Sequence, residues 1–385
     1  MRIGYITTDD PRDVTAWSGL AFFIWKSLVA RGIEVELIGP LPTALHHRKL
    51  DHLKWGYYHY FRGQYYWPEG DLMNVRARSR QAGRRLQSVP PVDAVLSTTN
   101  LPSAFLPGDV PMVVYSDSTL KGLYATYPGY SNASGLNRRH ADQIEIAGQQ
   151  RTAALVYASE WAAESARRDY SANPKKVHVV PFGANLETTP TRHTVEQAIA
   201  ARDRMQIRLL FIGVQWERKG GPVALAVTRE LNRRGVPAQL TVIGCSPFIE
   251  PADSRFVAVL GFVEKTAAGQ AKIHAELSRC HFLIVPSLAE CFGIVYCEAS
   301  AFGVPSIARN VGGVASAVRN DRNGQLFEIN DSPAKMAEWM AAKFRDIESY
   351  QRLALTSLAE FEERLNWKVA GEKLEEILRG VIDKK

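Results

Sequence analysis

The sequence predicts an α/β protein built from two successive parallel-sheet units, and three observations carry that prediction. Short apolar runs alternate with stretches of helical periodicity along most of the chain. The alternation halts near residue 190, in the polar, proline-bearing stretch "NLETTPTRHT", and then restarts. The chain has 385 residues, more than one hydrophobic core ordinarily organises.

The elements follow in order. "RIGYIT" reads as a buried strand, "DDPRDVTAWSG" as a loop, "LAFFIWKSLVARG" as a helix ending at Gly32, and "IEVELIGP" as a second strand. A helix between two strands is how parallel neighbours are joined. "VDAVLST" and "PMVVYSD" extend the sheet, "HADQIEIAGQQRTAA" is helical, and "ALVYAS", "EWAAESARRDY" and "KVHVVPFGAN" add another strand–helix–strand step. After the linker come "IRLLFIG", the helix "GGPVALAVTRELNRRG", "AQLTVIG", "FVAVLGF", the helix "AAGQAKIHAELSRC", "HFLIVPS" and "VPSIAR". From about 332 the pattern is almost wholly helical. The expected division is 1–188, 189–365 and a closing helix over 366–385.

Composition excludes several classes. With 46% hydrophobic and 23% charged residues, and no low-complexity tract, the chain reads as soluble and globular rather than disordered. Its first residues turn polar too early for a secretory signal. The longest apolar stretch, "GLAFFIWKSLVA", contains Lys26 and is too short to span a bilayer. Cys245, Cys280, Cys291 and Cys297 lack zinc-ligand spacing and read as free thiols of a reducing cytoplasm.

Net charge is +7. Residues 46–86 hold nine Lys/Arg against three acids and include "WGYYHYFRGQYYW", with eight aromatics in thirteen residues. That mixture suits nucleic acid, an anionic membrane or a sugar-stacking surface. It equally suits an aromatic cluster beneath a solvated basic face.

Four loops carry candidate chemistry. In "AECFGIVYCEASAFG", Glu290 lies before a helix and Glu298 within it, after the buried strand "HFLIVPS". Ligands of parallel sheets bind beyond the carboxyl ends of strands, where helix N-termini present amides. Gly293 admits close backbone approach there. A phosphate fits such a tip, and two carboxylates flanking it suit hydroxyl-rich ends of one ligand, the layout of a nucleotide sugar. The plainer alternative is that both glutamates are simply solvated. "FIGVQWERKGG" places Arg218 and Lys219 before another helix start, cations suited to a diphosphate; such pairs are also common on surfaces. The Walker spacing is missing. Gly19, in "TAWSGL", and Asp117, in "VVYSDST", follow strands of the first half. Each has a simpler role available, as a turn glycine and as a helix-capping residue.

Together these residues resemble the retaining glycosyltransferases of family 4. The match rests on "SLAECFGIVYCEASAFGVPSIARNVGG" at 287–313, which is similar to the family's E-x7-E, G-x-P and paired-glycine segment. "RKG" at 218–220, "VVPFGAN" at 179–185 and "NGQLF" at 323–327 follow further landmarks. The resemblance is close in the second half and holds only in outline in the first. It implies the GT-B fold, two Rossmann-like domains facing across a deep cleft, with the last helix crossing back to the first domain.

It further implies that Glu290 holds donor-sugar hydroxyls, Glu298 the ribose, and Arg218 and Lys219 the leaving diphosphate. Backbone at Phe292, Gly293, Ile294 and Val295 would contact the phosphates. The loop "GFVEK", with Phe262 and Val263, would hold the nucleobase, and Gly19 would approach from the first domain. Many members carry a histidine after a central N-domain strand; this chain offers Ser116 and Asp117, so Asp117 is the expected substitute near the anomeric carbon. The implied catalytic set is thus Asp117, Arg218, Lys219 and Glu290.

The expected activity is retaining transfer of a hexose-like sugar from a UDP- or GDP-sugar to a hydroxyl acceptor, without a metal or other cofactor. The acceptor would be a small molecule, a glycolipid or a polysaccharide of the cell envelope, chosen by the first domain, with 46–86 as candidate acceptor surface. The expected setting is the cytoplasm, with peripheral contact to an anionic inner membrane face and no nucleic-acid partner. A nucleotide-sugar epimerase of the same fold and a non-catalytic nucleotide-sugar binder are the alternatives. A dinucleotide oxidoreductase is disfavoured because no G-x-G-x-x-G follows the first strand.

Overall fold

A computed structural model describes residues 1–383, so the last two positions of the expected 366–385 helix lie outside the described residues. The chain divides into two compact units: Met1–Pro181 with the C-terminal segment from Trp367, and Phe182–Asn366.

In the first unit six strands, β1 (Arg2–Ile6), β2 (Glu34–Leu37), β3 (Ala94–Ser97), β4 (Met112–Ser116), β5 (Ala154–Tyr157) and β6 (Val177–Val179), form a parallel sheet in the order β2-β1-β3-β4-β5-β6. Helices α1 (Leu20–Val29), α2 (Leu45–Gly56), α3 (Leu72–Leu86), α4 (Leu120–Thr126), α5 (Pro128–Ser131), α6 (Gly135–Arg151) and α7 (Glu160–Tyr170) connect them. The inner strands are continuous apolar runs, and β3, β4 and β5 are buried along their whole length, as a sheet covered on both faces requires.

The second unit opens with α8 (Arg192–Ala201). Its strands are β7 (Ile207–Ile212), β8 (Ala238–Ile243), β9 (Val257–Gly261), β10 (Phe282–Ile284), β11 (Ser306–Arg309) and β12 (Gly324–Phe327). They form a second parallel sheet, ordered β12-β11-β10-β7-β8-β9. The helices are α9 (Gly221–Arg233), α10 (Ala267–Arg279), α11 (Ile294–Ala301), α12 (Val314–Ala317), α13 (Pro333–Arg345) and α14 (Ile347–Arg364). The strand order reverses between β7 and β10, paired as Phe282 with Leu209 and Leu283 with Leu210. The chain therefore leaves those two neighbours in opposite directions and opens a crevice at their carboxyl ends.

The last helix, α15 (Trp367–Ile382), belongs to the first unit and packs on α1. Trp367 stacks on Phe23 with ring centroids 6.4 Å apart, and Gly371 lies against Ser27. Arg31 bonds Glu375 at 2.7 Å and Glu372 at 3.3 Å. Leu374 and Leu378 are buried, and such burial contributes about 1.5–3 kcal/mol for each leucine.

The first boundary falls at 181/182 rather than at 188/189. Phe182 is fully buried in the second unit, where its ring meets Phe292 edge-on at 5.4 Å and its carbonyl lies 3.6 Å from Cys297 Sγ. Ala184 N–H donates to Leu365 O at 2.9 Å, which fixes the same segment. The polar composition that marks the linker begins only after these contacts. Cys280, Cys291 and Cys297 are buried free thiols and Cys245 is a half-buried one. No helix among the described residues is long and apolar enough to cross a membrane.

Candidate functional site

The β7/β10 crevice brings together residues some seventy positions apart. The loop after β7 carries Arg218 and Lys219, and the loop after β10 carries Glu290. Gly220 joins the two: it sits at φ 78°, and a Cβ there would overlap the carbonyl of Pro286. Leu288 N–H donates to Arg218 O at 2.8 Å, so the loops are hydrogen-bonded to each other as well as packed. Trp216 covers Gly221 and meets Phe211 of β7 at 5.0 Å, which fixes the turn that aims the cations.

Glu290 is nearly buried, and its carboxylate is ion-paired with Lys219 Nζ. Arg218 Nη1 stands 3.8 Å from the same oxygen and donates to Ala289 O at 2.7 Å. The Glu290 carbonyl accepts from Gly313 N–H at 3.2 Å, which ties in the paired-glycine segment. Two cations around one anion leave a net positive charge beside a helix tip, a setting that attracts a second anion.

Two helices start at this crevice, and they differ. At α9 the amides are taken: Gly220 N–H donates to Glu217 O, Gly221 N–H to Trp216 O at 2.8 Å, Val223 N–H to Gly220 O, and Pro222 has none. The expectation that Arg218 and Lys219 act beside an anion-binding helix start therefore needs correcting; they stand by a closed one. At α11 the N-cap is Gly293, left-handed at φ 92°, with no side-chain cap. The N–H groups of Gly293, Ile294 and Val295 donate to no described residue. By contrast α8, α10, α13 and α14 are each capped by a threonine, serine or aspartate side chain. Open amides at a helix start are suited to an anion.

Glu298 lies on α11, partly exposed and accepting no hydrogen bond from any described residue. Desolvation pushes its carboxyl up to about 7, opposed by the charges of Lys265 and Lys219. A desolvated carboxylate without donors is a ready acceptor for ligand hydroxyls. Lys265, at the end of the "GFVEK" loop after β9, is the residue missing from the sequence expectation. Its identity alone carries no signal; its nearness to Glu298 arises only from the fold. In that loop Phe262 is 70% exposed and Val263 half-buried. Phe292 is buried against Phe182.

In the first unit, Gly19 is the left-handed N-cap of α1, at φ 90°. Trp17 and Ser18 before it also hold positive φ, 45° and 59°. Two non-glycine residues in this region cost about 1–3 kcal/mol each. Asp117 follows β4 and is half-buried, with Ser118 Oγ 3.5 Å from its carboxylate. The cap of α4 is Thr119, which accepts from Gly122 N–H at 3.1 Å, so Asp117 is not the capping residue. No group of three or more His, Cys, Asp or Glu able to hold a metal occurs among the described residues.

Two family profiles match the chain: glycosyltransferase family 4 over residues 24–188, and glycosyl transferases group 1 over residues 206–346. Among curated proteins it is similar to the D-inositol 3-phosphate glycosyltransferase of Corynebacterium diphtheriae, 29% identical over 54% of this chain and 52% of that one. The enzyme of the same name from Rhodococcus opacus is 33% identical over 42% of this chain and 39% of its own. The chain spans about half the length of the curated relatives it matches. Among solved structures, sucrose-phosphate synthase from Thermosynechococcus elongatus superposes with a TM-score of 0.72 at 16% identity, over 100% of both chains. Anabaena Alr3699/HepE in complex with UDP gives 0.64 at 15% identity, over 99% of this chain and 100% of that one. These likenesses establish the fold, that of the GT-B glycosyltransferases.

Proposed function

We propose, for a chain that belongs to the glycosyltransferases of family 4 and group 1, that it transfers a sugar from a nucleoside diphosphate sugar to a hydroxyl acceptor, with retention at the anomeric carbon. One observation carries the reading. Two cations, Arg218 and Lys219, surround the Glu290 carboxylate at the same strand-order reversal from which α11 projects unpaired amides.

In this reading the Gly293, Ile294 and Val295 amides bind the diphosphate, and the cations offset the charge that grows on it as the bond to the anomeric carbon breaks. Donors of fixed position in a partly desolvated site stabilise that charge without reorganising. In this reading the cations and the α11 amides together, rather than a metal ion, offset that charge. Glu290, held by Lys219 in the free protein, exchanges part of that contact for hydroxyls of the donor sugar. Glu298 accepts from the ribose, and the Phe262–Val263 loop borders the base. UDP-glucose is the first donor to test, since the HepE structures hold UDP and UDP-glucose. The first unit selects the acceptor through the loops that follow its strands, the one carrying Asp117 among them.

Thermal shift and diphosphate release with a panel of UDP-, GDP- and ADP-sugars, with and without EDTA, test the reading. Stabilisation by one donor class and EDTA-resistant turnover on adding hydroxyl acceptors are expected. No stabilisation by any donor would contradict it.

A further inference from the structure

The segment 45–62 wears its pattern inside out. The only buried side chains of α2 are polar, His47 and Asp51. His47 Nδ1 lies 2.9 Å from Asn74 Oδ1, and Asn74 donates to both Asp51 oxygens at 3.1 and 2.9 Å. The Tyr66 hydroxyl stands between Asp51, at 3.0 Å, and Asp71, at 2.8 Å, and Lys54 Nζ donates to Asp71 at 2.7 Å. This seam fixes the helix's rotation, because turning its leucines inward would strand buried carboxylates without partners.

The apolar residues consequently face water. Leu45 is 76% exposed, Leu53 71%, Tyr60 74% and Phe61 80%, with Trp55 beside them. A surface helix of a soluble domain has the opposite arrangement, and a contiguous exposed apolar face marks an interaction site. Arg48, Lys49 and Arg62 are exposed around it. Asp51, buried, is the only acid between 45 and 68, so the accessible charge of the face is wholly positive.

We propose that this face docks on an anionic lipid bilayer, with the leucines and aromatic rings entering the boundary between headgroups and acyl chains while Arg48, Lys49 and Arg62 meet lipid phosphates. Tryptophan and tyrosine suit that depth, having an apolar body and a polar tip. A second copy seated on the same face by two-fold symmetry would bring like charges together. A nucleic acid offers phosphates but nothing for Leu45 and Leu53 to enter. The surface is also narrower than the basic stretch to 86: Arg78 is buried on Thr43 Oγ1 at 2.9 Å, and Arg76 lies over the Phe105 ring.

The inference does not depend on the proposed reaction, and its test needs neither donor nor acceptor. The full chain is sedimented with vesicles of phosphatidylcholine alone and with about one third phosphatidylglycerol. Uptake by the anionic vesicles only is expected, weakening as salt rises. Leu53→Ser/Phe61→Ser should lower it at least about tenfold, and Arg48→Glu/Lys49→Glu comparably, with circular dichroism and melting unchanged because these side chains support no core. The proposal is overturned by absence of uptake, by uptake indifferent to both variants, or by self-association that Leu53→Ser/Phe61→Ser abolishes without vesicle binding.

Discussion

The Glu298 carboxyl gives the account a quantitative handle, because burial holds it near 7 in the free protein, raised from 4.5. The ionised carboxylate accepts a ribose hydroxyl more strongly than the neutral carboxyl does, so donor binding favours loss of the proton where the carboxyl carries one. With a value of about 7 the carboxyl is roughly nine-tenths protonated at pH 6 and nine-tenths ionised at pH 8. Nucleotide-sugar affinity should therefore be weaker at pH 6 than at pH 8, by up to about tenfold, with up to about one proton released per donor bound at pH 6. Calorimetry in two buffers of different ionisation enthalpy measures both quantities. UDP-glucose is the probe, because its diphosphate has no ionisation in this range, whereas free UDP does. Glu298→Gln should abolish the pH slope. At pH 8 it should also weaken binding about ten- to a hundredfold, as expected for losing hydrogen bonds to a charged acceptor of about 1.5–3 kcal/mol. An affinity flat from pH 6 to pH 8, or a slope that survives Glu298→Gln, would refute the ribose role. The same shift acts on stability with a definite sign: the raised value favours the folded state below about 4.5, and that contribution is lost as pH rises towards 7.

Further expectations concern the neighbouring residues. Lys219→Ala should lower kcat by about a hundred- to a thousandfold, as for loss of one group stabilising a developing oxyanion, and an unaltered kcat in steady-state assay would make Lys219 a bystander. Because it also leaves the buried Glu290 with only Arg218 nearby, the melting temperature should fall, while Lys219→Arg restores stability more than turnover. Gly220→Ala should destabilise by about 1–3 kcal/mol or more in urea titration, since φ 78° and the Pro286 carbonyl both oppose a side chain; unchanged stability would show that the two loops are not locked there. Asp117→Ala should reduce transfer while leaving donor affinity within about threefold, and full transfer activity would remove it from the reaction.

Much of this was legible in the residues because periodicity and spacing are local. The strands of both sheets except β12 stand out as apolar runs, and a glycine before a helix without serine, threonine or aspartate announces α11's uncapped start. The reversal between β7 and β10 was not legible, since strand order depends on pairings between distant segments. Nor was the closure of α9: whether Gly221's amide is free depends on where the Trp216 carbonyl points. Helical spacing in "LHHRKLDHLKWGYYHYF" would bury Leu50 and Leu53, whereas the structure buries His47 and Asp51, because Asn74, Tyr66 and Asp71 supply partners from farther along the chain. The boundary at Phe182 escaped for the same reason, its ring meeting Phe292 from across the unit.

A crystal of the protein grown with UDP-glucose is the most direct test. The account places the diphosphate within hydrogen-bond distance of the Ile294 and Val295 amides and of Lys219, with the ribose on Glu298 and the glucose on Glu290. A nucleotide bound elsewhere on the second unit, with Lys219 still closed on Glu290 and the tip of α11 bare, would contradict it.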